Sequence, residues 1–161
     1  MKNKAYRRLL PAAGIIYFLL VVYWVLFDGG FGRSGFENLG NISFSAMKEH
    51  FCKTGNLVPF KTIKLFFKGF FVTGSVSLKA FAINIFGNIF VFTPFGIILP
   101  LVFKKQKKLY VFLLTMAAFI FCIEVLQLVL LTGSPDIDDL ILNLFGGWTG
   151  YVITRAVFKK M

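Results

Sequence analysis

Seven acidic residues occur in 161, and three of them share one run, Gly133-Ser134-Pro135-Asp136-Ile137-Asp138-Asp139. A fourth, Glu124, is the only charge between Leu109 and Leu131. Acids beside or inside a bilayer are costly and need a proton, a cation or a cluster of donors. Glu124, Asp136, Asp138 and Asp139 are therefore the candidate chemical groups. Two such carboxylates can act as general acid and base, or several can hold a divalent cation by oxygen ligands. Asn84, Asn88, Gln127 and Asn143 are candidate binding residues, because they are the amides nearest the acids along the apolar segments. A plainer reading stands beside this one. Asp136 can cap the helix that follows, with Asp138 and Asp139 favoured in its first turn by the helix dipole. Amides in membranes also bond neighbouring helices, at about 0.6 kcal/mol each.

Other chemistry is poorly represented. The sequence has no HExxH, no phosphate loop and no nucleophile motif with a nearby histidine. His50, the single histidine, reads as a surface residue. Cys52 lies in a polar stretch and Cys122 in an apolar block, so both are expected to be unpaired. With no CxxC or His/Cys cluster, neither a metal nor a cofactor is expected.

The elements that must position these residues are apolar. Hydrophobic residues make up 57% of the chain, with 22 Phe. Soluble domains hold roughly 45–50%. The excess falls in charge-free blocks, the membrane signature. The formal net charge is +11, yet the basic residues flank apolar blocks and form no patch on a soluble domain. Nucleic acid is therefore not the expected partner; a bilayer is. Four spans are expected, at about 9–27, 81–103, 109–131 and 140–158, each long enough to cross as a helix. The first is too long for a signal-peptide core. Pro94 should kink or loosen the second span. Gly146 and Gly150 form a GxxxG pair that lets helix backbones approach closely.

Residues 28–80 form a long connection. It opens on a Gly-rich turn at 28–36 and includes a short sequon at Asn41. Further on, Lys61, Lys64 and Lys68 share one helical face, and Phe66, Phe67, Phe70 and Phe71 lean to the other. A basic face with an aromatic face describes an amphipathic helix lying in the membrane interface. The expected fold is thus all-α: one domain over 1–161, an integral membrane bundle of four transmembrane helices plus an interfacial helix.

Eleven of the eighteen basic residues flank the spans at the N-terminus, at Lys104–Lys108 and at Arg155/Lys159/Lys160, with no acid among them. The positive-inside rule puts both termini in the cytoplasm, in a multi-pass cell-membrane protein. The connection 28–80 and the Asp136–Asp139 loop then face outward. At 1.5 Å per residue, Asn84 and Asn88 lie roughly 5–10 Å deep, Glu124 and Gln127 roughly 6–11 Å, and Asn143 near 6 Å. Three helices place polar residues in one outer layer beneath the aspartates.

Four stretches together resemble one family. Asn56-Leu57-Val58-Pro59-Phe60 resembles its NLxPF element. The stretch from Asn84 to Gly96 resembles its N-x-x-GN-x-x-x-F-x-PFG motif. Glu124 and Gln127 resemble its E-x-x-Q. Asp136-Ile137-Asp138-Asp139 with Asn143, Gly146-Gly147 and Gly150-Tyr151 resembles its DIDDxxxN-x-x-GG-x-x-GY ending. In this order they are similar to the VanZ-like membrane protein family, over roughly residues 53–155. The resemblance implies a small bacterial integral membrane protein with a link to glycopeptide resistance, teicoplanin in particular. It supplies no settled reaction or substrate. Many members carry an Arg shortly before the DIDD element, where this chain has Gly133-Ser134-Pro135.

Two classes of function follow. One is an envelope binding protein whose outer polar pocket engages a lipid headgroup, a lipid-linked wall precursor or a lipophilic glycopeptide. The other is an intramembrane enzyme on a lipid-linked substrate, using Glu124 and one of the aspartates. A transporter has less support, since four spans are few and no inverted repeat is visible.

Overall fold

The computed structural model describes residues 4–27 and 42–158. The Gly-rich turn at 28–36 and Asn41 lie outside the described residues. Among the described residues seven α-helices run in order: α1 (Lys4–Phe27), α2 (Phe44–Thr54), α3 (Lys61–Phe71), α4 (Leu78–Ala82), α5 (Asn88–Val102), α6 (Leu109–Leu130) and α7 (Ile137–Val157). A π-helical turn, Ile83–Gly87, joins α4 to α5 without a break, and a 3₁₀ turn, Lys104–Lys107, joins α5 to α6. Among the described residues the only β pairing is an isolated parallel bridge between Asn56 and Asp136.

Among the described residues, three stretches are long and apolar enough to cross a membrane: Leu9–Leu26, Leu78–Val102 and Leu109–Leu130. α7 matches them in length, with 21 residues, but falls below them in apolarity. Its two aspartates, Asn143, three glycines and Arg155 dilute the leucines and valines.

Those glycines set the central contact. A Cβ on Gly146 would lie 2.1 Å from the Ile89 carbonyl oxygen, and one on Gly150 would lie 2.0 Å from that of Thr93. From the other side, a Cβ on Gly96 would meet the Gly147 carbonyl oxygen at 2.0 Å. The α5 and α7 backbones therefore touch, as small residues at this spacing permit. α6 presents Phe112, Met116, Ile120 and Ile123 as one buried stripe, at the spacing of a single helical face. α1 closes the core with Val21, Val25 and Leu26. It is pinned by Tyr17, whose hydroxyl donates to the Val91 carbonyl at 2.7 Å. Pro94 and Pro100 both lie inside α5, which runs through them. The irregular turn falls earlier, at Ile83–Gly87.

α3 occupies the expected Lys61–Phe71 stretch. Ile63, Phe66 and Phe70 pack on Phe81, Ile85 and Leu142. Phe67 and Phe71, though partly exposed, also set their rings edge-on to Phe81, at 5.1 and 5.6 Å, while Leu65, Lys61, Lys64 and Lys68 are exposed. α2 is a helix that hydrophobic periodicity did not reveal. Ser43 caps it by accepting the Ala46 N–H at 3.1 Å.

Candidate functional site

The polar cluster forms where the N-terminus of α7 meets the turn before α3. Asp136 is the N-cap of α7, its Oδ1 accepting the Asp138 N–H at 2.8 Å. The same oxygen accepts from Asn56 Nδ2 at 2.9 Å, and Oδ2 accepts from the Thr62 hydroxyl at 2.6 Å. Backbone bonds run alongside: the Asn56 N–H donates to the Pro135 carbonyl, and the Ile137 N–H to the Asn56 carbonyl, both at 2.9 Å. Asn56 also folds its own turn, accepting the Val58 N–H at 3.1 Å.

Asp138 has no solvent exposure at all. Its Oδ1 accepts the Phe60 N–H and its Oδ2 the Ile63 N–H at 3.1 Å. Phe60, the residue preceding α3, has a left-handed backbone with φ of 64° and offers no side-chain cap. A bulky residue in that region is strained. The Asp138 carboxylate stands in for the missing cap, taking two N–H groups that the helix start leaves orphaned.

Glu124 meets this assembly from α6. It is buried, and its Oε2 accepts the Asp136 N–H at 3.2 Å. Asp139 reaches the other way, to α5, where its Oδ1 accepts from Asn88 Nδ2 at 2.7 Å. The π turn positions that amide. A wider turn takes carbonyls off the regular ladder, and the Asn88 and Asn84 amides donate back to the Asn84 and Ala80 carbonyls at 3.1 and 2.9 Å. Asn143 lies one turn below Asp139 on α7. Its Oδ1 is buried with no hydrogen-bond partner among the described residues.

The structure thus gathers Asp136, Asp138 and Glu124 into connected contacts and pairs Asp139 with Asn88 beside them. Asn84 spends its amide on its own helix. Gln127 spends its amide on α1, donating to the Val25 carbonyl at 2.9 Å. Asn56 and Thr62, partners of Asp136, were missed in the sequence. The signal available was the NLxPF element itself, which holds the only Asn between two polar helices. His50 is half-buried, with Nε2 at 2.9 Å from the Gly133 carbonyl, so it ties α2 to the loop before α7. Beside it, in solvent, Lys53 hydrogen-bonds Glu49 at 2.6 Å and holds that carboxyl below its ordinary range. Cys52 and Cys122 are free and exposed. Among the described residues, no group of three or more His, Cys, Asp or Glu side chains is placed to hold a metal ion.

Apolar helices of spanning length, tied together by buried carboxylates and amides at one end, define an all-helical membrane protein. The chain belongs to the VanZ/LLP1 family, whose pattern matches residues 14–159. No curated protein and no solved structure matched the chain.

Proposed function

We propose that this chain is a four-span envelope protein that binds an amphiphile at its outer face. In this reading α7 is the fourth span, both termini are cytoplasmic, and α3 lies in the outer interface with its lysines toward headgroups. The observation that carries it is the union of two features at one end of the bundle. The Asp139–Asn88 and Glu124–Asp136 contacts bring three helices together there. The Lys/Phe helix α3 is anchored to the same place through Asp138. Carboxylates accept from hydroxyl and amine groups, and lysines favour phosphate. A lipid-linked wall precursor carries both kinds of group on an apolar tail, and a lipophilic glycopeptide shares the tail and the hydroxyls.

Every carboxylate oxygen of Asp136 and Asp138 accepts a hydrogen bond that shapes the α3 turn. That assigns these two acids to the fold and makes binding a better reading than acid/base catalysis.

The test is teicoplanin and vancomycin susceptibility in a host with and without the chain, and with Glu124→Gln. A rise in the teicoplanin inhibitory concentration that Glu124→Gln abolishes supports the reading. No shift for either drug removes the resistance role.

A further inference from the structure

At the opposite end of the bundle from the acidic cluster, the packed helices α1 and α5 leave a crevice along their outer side. Pro11, Gly14, Ile15 and Phe18 of α1 face Phe95, Ile98, Leu99, Val102 and Phe103 at the end of α5, around a crevice of about 210 Å³. On both helices these positions recur at i, i+3, i+4 and i+7, so each contributes one continuous stripe. Gly14 lets the two helices approach closely at the floor of the crevice: a Cβ there would lie 2.9 Å from Ile98 Cγ2. The lining is almost wholly apolar, and the outer rim, Ile15, Phe18 and Phe103, is exposed.

The mouth of the crevice is set by the chain itself. Phe103, its last lining residue, is followed directly by Lys104, Lys105, Gln106, Lys107 and Lys108. Lys104, Lys105 and Lys108 are exposed. The turn that carries them is fixed, since the Tyr151 hydroxyl donates to the Lys107 carbonyl at 2.6 Å and Gln106 Nε2 to the Thr115 hydroxyl at 2.9 Å.

We propose that this crevice is a binding site for one anionic phospholipid, its acyl chain between α1 and α5 and its phosphate at the Lys104–Lys108 turn. An apolar crevice alone selects nothing, because lipid tails are as apolar as the side chains around them. The selectivity comes from charge: basic clusters beside spanning helices draw anionic headgroups. Four lysines at the crevice mouth, with no acid in the turn, supply that complementarity. The site is separate from the acidic cluster and does not depend on any role assigned there.

The test uses the full chain, purified in mild detergent and given equal amounts of phosphatidylglycerol and phosphatidylcholine with identical acyl chains, with retained lipid read by native mass spectrometry. The wild-type chain is expected to keep one phosphatidylglycerol several-fold over phosphatidylcholine. Ile15→Trp fills the crevice from its exposed rim and is expected to reduce retention of both lipids. Lys104→Gln/Lys105→Gln/Lys108→Gln is expected to abolish the preference while leaving the melting temperature unchanged. Equal retention of the two lipids by wild type, or unchanged retention in Ile15→Trp, overturns the proposal. So does loss of the preference in Lys61→Gln/Lys64→Gln/Lys68→Gln, which would place the lipid at α3, and so does a doubled protein mass in place of a lipid adduct.

Discussion

The carboxylate of Asp138 accepts the backbone N–H of Ile63 at 3.1 Å, so the first turn of α7 caps the first turn of α3. The two residues are 75 positions apart in the chain. The amphipathic helix α3 is thereby tied to the end of the bundle through a fully buried carboxylate, beside the Thr62–Asp136 bond and the packing of Phe66 and Phe70.

Asp138→Ala leaves the Phe60 and Ile63 N–H groups without an acceptor. A buried donor left unsatisfied costs about 1–3 kcal/mol, and the left-handed Phe60 loses a contact that holds it. The expected outcome is a fall in the melting temperature in detergent, with α3 becoming sensitive to protease before the spans do. Equal resistance of α3 in mutant and wild type would show that Phe66 and Phe70 suffice to hold the helix.

Glycine substitutions should separate by what each Cβ meets. At Gly150 it would meet the Thr93 carbonyl oxygen at 2.0 Å, a backbone atom that moves only if α5 and α7 separate. At Gly147 the nearest atom is the flexible Met116 Cε, at 3.2 Å. Gly150→Ala is expected to cost several kcal/mol, in the range of overpacking and backbone strain, roughly 3 or more. Gly147→Ala should cost under about 1 kcal/mol. Thermal melts of the two purified variants, side by side, decide this.

The helices were legible because their cause is local. Charge-free blocks of spanning length marked α1, the α4–α5 helix and α6, and the Lys/Phe periodicity marked α3. The DIDD run was legible as a polar cluster because acids are rare in this chain and cannot be placed idly beside apolar segments. What sequence did not yield has a long-range cause. The Asn56–Asp136 pairing spans 80 residues and leaves no periodic trace. The same holds for Gln127, whose partner is a backbone carbonyl of α1 that no side-chain pattern advertises. α2 was hidden for a different reason: FSAMKEHFCKT is short, its apolar positions Phe44, Met47 and Phe51 are set among polar residues, and none of its residues is buried. The π turn at Ile83–Gly87 was not expected; only Pro94 was expected to kink or loosen the span, and α5 runs through it.

Asn88 and Asp139 form a coupled pair at 2.7 Å across the α5–α7 contact. A hydrogen bond to a charged group contributes about 1.5–3 kcal/mol. In a double-mutant cycle of Asn88→Ala and Asp139→Ala, the coupling energy is expected to fall near the low end of that range, because the cluster is partly exposed. Asn88→Ala should also loosen the π turn, since the Asn84 carbonyl loses its side-chain donor. Additive melting shifts in the cycle would mean that the two side chains act independently.

The orientation can be read from the two native cysteines without engineering. Cys52 is exposed on α2, a polar helix just before the Asn56 turn, and Cys122 is exposed on α6, midway along a stretch that is apolar on both sides. If α2 and the acidic cluster lie outside the cell, a membrane-impermeant maleimide added to intact cells labels Cys52. Cys122 faces lipid in that arrangement, where a charged, water-borne reagent does not enter. It should react only with a small lipid-soluble reagent. Cys52→Ser is therefore expected to abolish labelling of intact cells, while Cys122→Ser leaves it unchanged. Labelling of Cys52 only after the membrane is opened would invert the topology and put the acidic cluster on the cytoplasmic side, beyond the reach of any extracellular ligand.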